Sequence, residues 1–299
     1  MSYWGKREQL DKLQAIFKSV LGNATPDDIF IHGELTVSVD KKRLREFSSS
    51  KLLSHAIYEV DFPRVAGPVD LYHYTTIDGF RGIIREGKIY LYPVAKRMKE
   101  GEFHPYAFDN EFDGYYTPDP ETCRTYGQEL SEDLYYISLT DLKNGDDEDQ
   151  FWSYFSEHRG VRLKLRLTPK VACDLRRMKY RPKDGKTALT EINELLGEKL
   201  GLRFCPHESS RIPAFYLPDG FKAEDETRLM IKKHIEGKDR TIQFGDGMVW
   251  PVPLAAPGGV TNDDWCEIEL LEVKVAPNGN GADVQSELDG TIYQSVPVT

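Results

Sequence analysis

Four polar residues stand where strand-like hydrophobic runs begin or end, and their types could do chemistry together. His73 closes the run Leu71-Tyr72-His73, Ser138 follows Tyr136-Ile137, and Glu226 opens Glu226-Thr227-Arg228-Leu229-Met230-Ile231 with Glu224 two residues earlier. An imidazole offers a donor and an acceptor, a hydroxyl offers both, and a carboxylate can stabilise positive charge as it develops. Each residue alone is commonplace: a satisfied histidine, a strand-end serine, a solvated glutamate. They lie far apart in the chain, so the elements that carry them decide whether they meet.

The stretch Leu71 to Ile84 predicts a short strand, a Thr/Asp start signal and then a helix with Phe80, Ile83 and Ile84 facing a core. Gly87 lets the chain turn, and Lys88 to Tyr92 predicts a second strand, with Ile89 and Leu91 alternating against Tyr90 and Tyr92. Strand character returns at Asp133 to Leu139, and Val161 to Leu167 is the clearest alternation in the chain, with a Val/Leu face to bury and a basic face to keep wet. At Glu224 to Lys232, Thr227, Leu229 and Ile231 share one face while Glu224, Glu226 and Arg228 share the other.

Between these, the acidic run Asn144 to Asp149 reads as the cap of a helix carrying Phe151, Trp152, Tyr154 and Phe155. The segment Val94 to Leu130 is irregular and rich in rings, including Phe103, Tyr106 and Tyr115, and Pro118 to Glu129 predicts a helix containing Tyr126. Helical spacing is expected at Gln9 to Leu21, within Lys41 to Tyr58 and at Leu189 to Leu200. Strands are expected at Thr241 to Phe244, Met248 to Val252, Trp265 to Val275 and Thr291 to Val298. Asn278 to Gly281 reads as a turn, since a phosphate loop needs a lysine and a following helix. Strands interrupted by a few helices, without a regular alternation of the two, predict an α+β fold: a helical N-terminal region over 1–65 and a main domain over 66–299.

Composition narrows the function classes. The 299 residues include 39 Lys plus Arg against 49 Asp plus Glu, for a formal charge of -10. That balance opposes general attraction to nucleic acid phosphates, although the basic stretch Arg159 to Arg181 keeps a local groove open. No apolar run reaches membrane-spanning length and no signal-peptide core follows the N-terminus, so a cytoplasmic location without membrane association is expected. Cys123, Cys173, Cys205 and Cys266 make no close pair, and the histidines are dispersed, so no metal centre is expected.

The ordered blocks Leu71 to Thr76, Ile137 to Thr140, Trp152 to Tyr154 leading to Gly160-Val161, and Phe221 to Arg228 resemble those of the bacterial DUF2971 family, which itself resembles ADP-ribosyltransferases of defence-associated toxins. The resemblance covers roughly residues 69 to 235 and leaves the first 65 and much of the tail as additions. It implies a split antiparallel-sheet core clasping NAD+ as co-substrate, and transfer of ADP-ribose to a macromolecular acceptor, protein or nucleic acid. By that analogy Glu226 and His73 are catalytic. His73 binds the adenosine ribose, Ser138 supports the cleft and Glu226 hydrogen-bonds the nicotinamide ribose. Tyr74, Tyr126 or Trp152 stacks on a ring of NAD+, and Glu224 addresses the acceptor. A phage-defence toxin would also need an antitoxin as partner. The alternative is a nucleotide-binding or protein-interaction module that keeps the cleft without turnover.

Overall fold

The computed structural model describes residues 7–27, 30, 35–38, 42–46, 52–96, 104–112, 115–141, 148–156, 158–170, 173–182, 186–207, 212–233 and 239–299. Phe103 and Asn144 to Asp147 of the acidic run lie outside them. The strands in chain order are β1 Leu35–Ser38, β2 Arg43–Glu46, β3 Val69–Thr75, β4 Lys88–Pro93, β5 Leu134–Thr140, β6 Val161–Pro169 and β7 Asp174–Arg177. They continue as β8 Lys179–Tyr180, β9 Arg203–Phe204, β10 Tyr216–Leu217, β11 Glu226–Lys232, β12 Ile242–Phe244, β13 Gly247–Ala255 and β14 Cys266–Val275. The fold is mixed α+β around a central sheet.

The chain divides into two compact units. The first joins Met1–Pro63 to Glu100–Gly127 and Lys179–Gly220, so the N-terminal region is completed by two later segments and the remainder is not one continuous body. Within it the helix Arg7–Leu21 buries Leu13, Ile16 and Phe17, with Phe17 meeting Phe204 edge to face at 5.3 Å. The helix expected within Lys41 to Tyr58 is a strand followed by a helix: β2 pairs with β1 and β9, and among the described residues of this stretch the helix is Leu52–Asp61. The buried Glu46 at the end of β2 explains the change of structure. Its carboxylate accepts from Leu53 N at 2.9 Å and Ser54 N at 3.1 Å, so it caps the helix that follows. The helix expected from Pro118 begins only at Tyr126, because Asp119 Oδ1 accepts from the amides of Glu121 and Thr122 and holds a turn there.

The second unit is Arg64–Lys99, Gln128–Met178 and Phe221–Thr299. Its strands pair in the order β12-β13-β14-β6-β3-β5-β11-β7, and β4 pairs with both β13 and β5. The pairing therefore runs round a ring: β3, β6, β14, β13, β4, β5 and back to β3. Alternation places Leu71, Ile137, Leu139, Leu163, Leu165 and Leu229 on the inner face with Trp250 and Ile268, all buried in one core. Helices Ile77–Glu86 and Gly281–Leu288 close over that core through Phe80, Ile84, Val284 and Leu288. The helix Gly281–Leu288, capped by Asn280, corrects the expectation that no helix follows the Asn278 turn. The strand expected at Thr291 to Val298 is a series of turns, because Thr291 Oγ1 donates to Leu288 O and accepts from Tyr293 N. Only Val298 keeps an extended partner, bridging to Val273.

The outer face of β6 is basic as expected, but it is not an open basic groove. Arg162 pairs with Glu148 at 2.6 Å, Lys164 and Arg166 pair with Asp70 at 3.4 and 2.9 Å, and Lys170 pairs with Glu267 at 2.9 Å. Acidic neighbours on β3, β14 and the helix Glu148–Ser156 consume the charge that nucleic acid phosphates would need.

Candidate functional site

One seam of the ring is barely stitched. Strand β3 pairs with β6 along its whole length, from Val69 opposite Leu167 to Thr75 opposite Val161. With β5 it shares the single position Tyr72 opposite Thr140, after which the two strands part and β5 turns to β4 through Tyr136 opposite Tyr92. A cleft of about 620 Å³ occupies the opening. Its walls come from the end of β3, the start of helix Ile77–Glu86, the outward tyrosines of β4, residues Tyr136 to Thr140 of β5, and Phe155, Glu224 and Phe244.

Parted strands leave backbone groups without ladder partners, and a buried one needs another. The Ser138 carbonyl finds His73: the ring Nδ1 lies 3.0 Å from it. Because that oxygen can only accept, the hydrogen bond fixes the tautomer with the proton on Nδ1 and leaves Nε2 as an acceptor. Burial lowers the His73 pKa from its ordinary value, the Ser138 contact only partly opposing it, so the ring is neutral at physiological pH. The helix start beside it is fixed by Thr76, whose hydroxyl accepts from Gly79 N at 3.1 Å, and its end by Gly87 in the left-handed region at φ 61.

The residues singled out from sequence separate into three groups. His73, Ser138, Tyr74 and Glu224 all line the cleft. Trp152 and Glu226 are buried and are not among its lining residues. Trp152 packs edge-on to Tyr74 at 4.9 Å, while Phe151 stacks on the same Tyr74 ring at 5.6 Å, so these rings occupy one another. Burial drives the Tyr74 hydroxyl up to about 12 despite the nearby Arg162. Glu226 is gripped by Arg228 in a two-pronged pair, Nε to Oε1 at 2.7 Å and Nη2 to Oε2 at 3.0 Å, with both side chains buried. Arg228 also lies over the Tyr136 ring at 4.4 Å. Tyr126 belongs to the first unit, half exposed, with its ring edge-on to Tyr115 at 6.0 Å.

Tyr90, Tyr92, Lys96 and Phe244 are lining residues that the sequence did not mark as a site. Tyr90 and Tyr92 were visible as the outward face of an alternating strand, but that face acquires meaning only when β4 is set between β13 and β5. Phe244 stacks obliquely on Tyr90 at 4.7 Å, and the Lys96 ammonium lies 4.4 Å from the centre of the Tyr92 ring. Among the described residues no cluster of His, Cys, Asp or Glu is arranged to hold a metal ion, and no helix is long and apolar enough to cross a membrane. Compared with known proteins, the chain matches no family model, no curated protein and no solved structure.

Proposed function

We propose that the chain binds NAD+ in the cleft where β3 and β5 part and transfers its ADP-ribose to a macromolecular acceptor. The observation that carries this reading is the cleft itself: a sheet opened between two strands, walled by aromatic rings, with a neutral histidine and a carboxylate on its surface. Planar rings suit the two bases of a dinucleotide, and polar groups on rigid strands suit its riboses. In the reaction the bond from ribose C1′ to the pyridinium nitrogen breaks and its electron pair leaves with neutral nicotinamide. A nucleophile of the acceptor then bonds to C1′ and gives up its proton. Positive charge grows on the ribose between these events, and a carboxylate held at the wall stabilises that state more than it stabilises bound NAD+.

Glu224 lines the cleft and takes this role. Glu226, two residues on, is neutralised by Arg228 and braces the strand that follows the turn carrying Glu224. The experiment is release of labelled nicotinamide from NAD+ with protein and nucleic acid acceptors, alongside NAD+ binding. Glu224→Gln is expected to lose about a hundredfold in turnover while still binding NAD+. A loss confined to Glu226→Gln in folded protein would return the role to Glu226, and a wild-type protein that neither binds NAD+ nor releases nicotinamide removes the proposal. The grip of Arg228 on Glu226 favours a second reading, a nucleotide-binding module without turnover, whose signature is NAD+ binding with no nicotinamide released.

A further inference from the structure

The corner of the cleft formed by Lys96, Tyr90, Tyr92 and Phe244 is not used by the chemistry above. Among the described residues Lys96 is the one Lys or Arg lining the cleft. Its ammonium sits over the Tyr92 ring at 4.4 Å, and no carboxylate pairs with it among the described residues. A Cβ added at Gly247 would lie 3.7 Å from Nζ, so the side chain is laid along the start of β13 at the mouth of the cleft. Beside it the Tyr90 and Phe244 rings meet at 4.7 Å, yet Phe244 remains 45% exposed and Tyr92 37%. Most cations of this unit's sheet are matched to acids, as the row from Arg162 to Lys170 shows; this one faces a cavity.

We propose that Lys96 binds the phosphates of the cleft's ligand and that the Tyr90 and Phe244 rings form the platform for its nucleobase. An ammonium without a carboxylate attracts an anion, and exposed rings beside it offer a face for stacking, which together describe a base joined to phosphate. The two ends of the site are set by β5. Tyr136 pairs with Tyr92 at the lysine end, and Thr140 pairs with Glu226, next to Glu224, at the other. Four residues of strand separate them, about 13 Å at roughly 3.3 Å per residue. That span takes a dinucleotide lying along the strand, with its phosphates and one base at Lys96 and the reacting ribose at Glu224. The identity of the ligand rests on the NAD+ reading; the phosphate site does not. The net charge of -10 and the paired basic face of β6 favour a soluble dinucleotide over a nucleic acid strand.

The test is calorimetric titration of the full chain with ADP-ribose, adenosine and inorganic pyrophosphate, in wild type, Lys96→Gln and Phe244→Ala. Both side chains are exposed, so the fold is not at stake. Lys96→Gln is expected to weaken ADP-ribose about tenfold, to abolish pyrophosphate binding and to leave adenosine unchanged. Phe244→Ala is expected to weaken ADP-ribose and adenosine about tenfold and to spare pyrophosphate. If Lys96→Gln binds ADP-ribose as wild type does, or loses adenosine equally, Lys96 is not the phosphate site, and the NAD+ reading stands without it. If Phe244→Ala keeps both nucleoside ligands at full affinity, the platform is wrong. Lys96-dependent ADP-ribose binding in a protein that never releases nicotinamide from NAD+ keeps this assignment and rejects transfer. Wild-type protein that binds none of the three overturns both.

Discussion

Strand β5 has two edges built in opposite ways. On one side all seven of its residues, Leu134 to Thr140, pair with β11. On the other, β3 touches it at Thr140 and β4 at Tyr135 and Tyr136, so Ile137 to Leu139 have no strand beside them there. The closed edge buries its charges against each other, Glu226 on Arg228. The open edge presents His73 and a ring-lined cleft, which Glu224 also lines from the turn before β11. Two glutamates separated by one residue thus meet different physics: one is locked into a desolvated ion pair and the other faces a cavity. An acid that must respond to a passing charge has to reach the cavity, which Glu224 lines and the buried Glu226 does not.

The largest expected effect breaks the closed edge. Arg228→Leu leaves Glu226 buried without its cation, which costs about 3–5 kcal/mol of stability. Urea unfolding should show the loss as a lower midpoint at unchanged slope. Adding Glu226→Gln to that variant should recover part of it, since the uncompensated charge is then gone. If Glu226→Gln changes stability by the same amount with and without Arg228, the pair carries no coupling, and the contrast between the edges loses its energetic basis.

The next effect concerns how β3 is held when its β5 side is open. Gly160 lies against the Thr75 carbonyl at the end of β3, and a Cβ there would also come within 2.5 Å of the Ser156 Cβ. Neither partner is the free end of a flexible side chain, so Gly160→Ala must shift backbone, at a cost of about 1–3 kcal/mol. The shift falls on the last residues of β3, and NAD+ or ADP-ribose affinity should fall with stability. Retained affinity in the destabilised variant would show that the cleft tolerates movement of that strand end. Smaller again is Thr76→Ala, which removes the cap at Gly79 N and should cost about 1 kcal/mol, with Thr76→Ser nearly neutral. Amide exchange at Gly79 reports it directly.

Local signals made much of this legible. The alternation of Val161 to Leu167 gave β6, and the Thr76 start with the Gly87 stop gave the helix Ile77–Glu86. Where a side chain competes for its own backbone, sequence pattern misled: Asp119 replaces the first turns of an expected helix, and Thr291 an expected strand. The site was legible only in part. His73, Ser138 and Glu224 could be marked because they are polar groups beside strand-like hydrophobic runs, although β3 and β5 run two residues past the first two and Glu224 ends the 3-10 turn before β11. Tyr90, Tyr92, Lys96 and Phe244 become a wall only through pairings of β4 with β13 and β5, which nothing in their own neighbourhood encodes. The Glu226 grip had a local signal, an arginine two residues on along the same strand face, but burial of the pair depends on β5 and β7 flanking β11.

At neutral pH the last effect vanishes, and it appears only as the solution is acidified. Burial lowers the His73 pKa below the ordinary 6.5, while an unfolded chain keeps the ordinary value. Between the two values the unfolded chain binds more protons than the folded one, so stability rises with pH across that window and is lost as pH falls from 6.5 toward the folded pKa. Well above pH 6.5 both states are neutral at this ring and the contribution is flat. His73→Gln keeps a donor for the Ser138 carbonyl but removes the titration. The stability of wild type minus that of the variant should therefore be constant well above pH 6.5 and should decline as pH falls below that value. Comparing the two proteins cancels the carboxylates that titrate in both. A difference that stays constant through the acid range would mean that His73 charges as easily in the folded protein as in the unfolded chain. The open edge would then be wet enough to solvate an imidazolium, and the neutral ring assigned to the cleft would be lost with it.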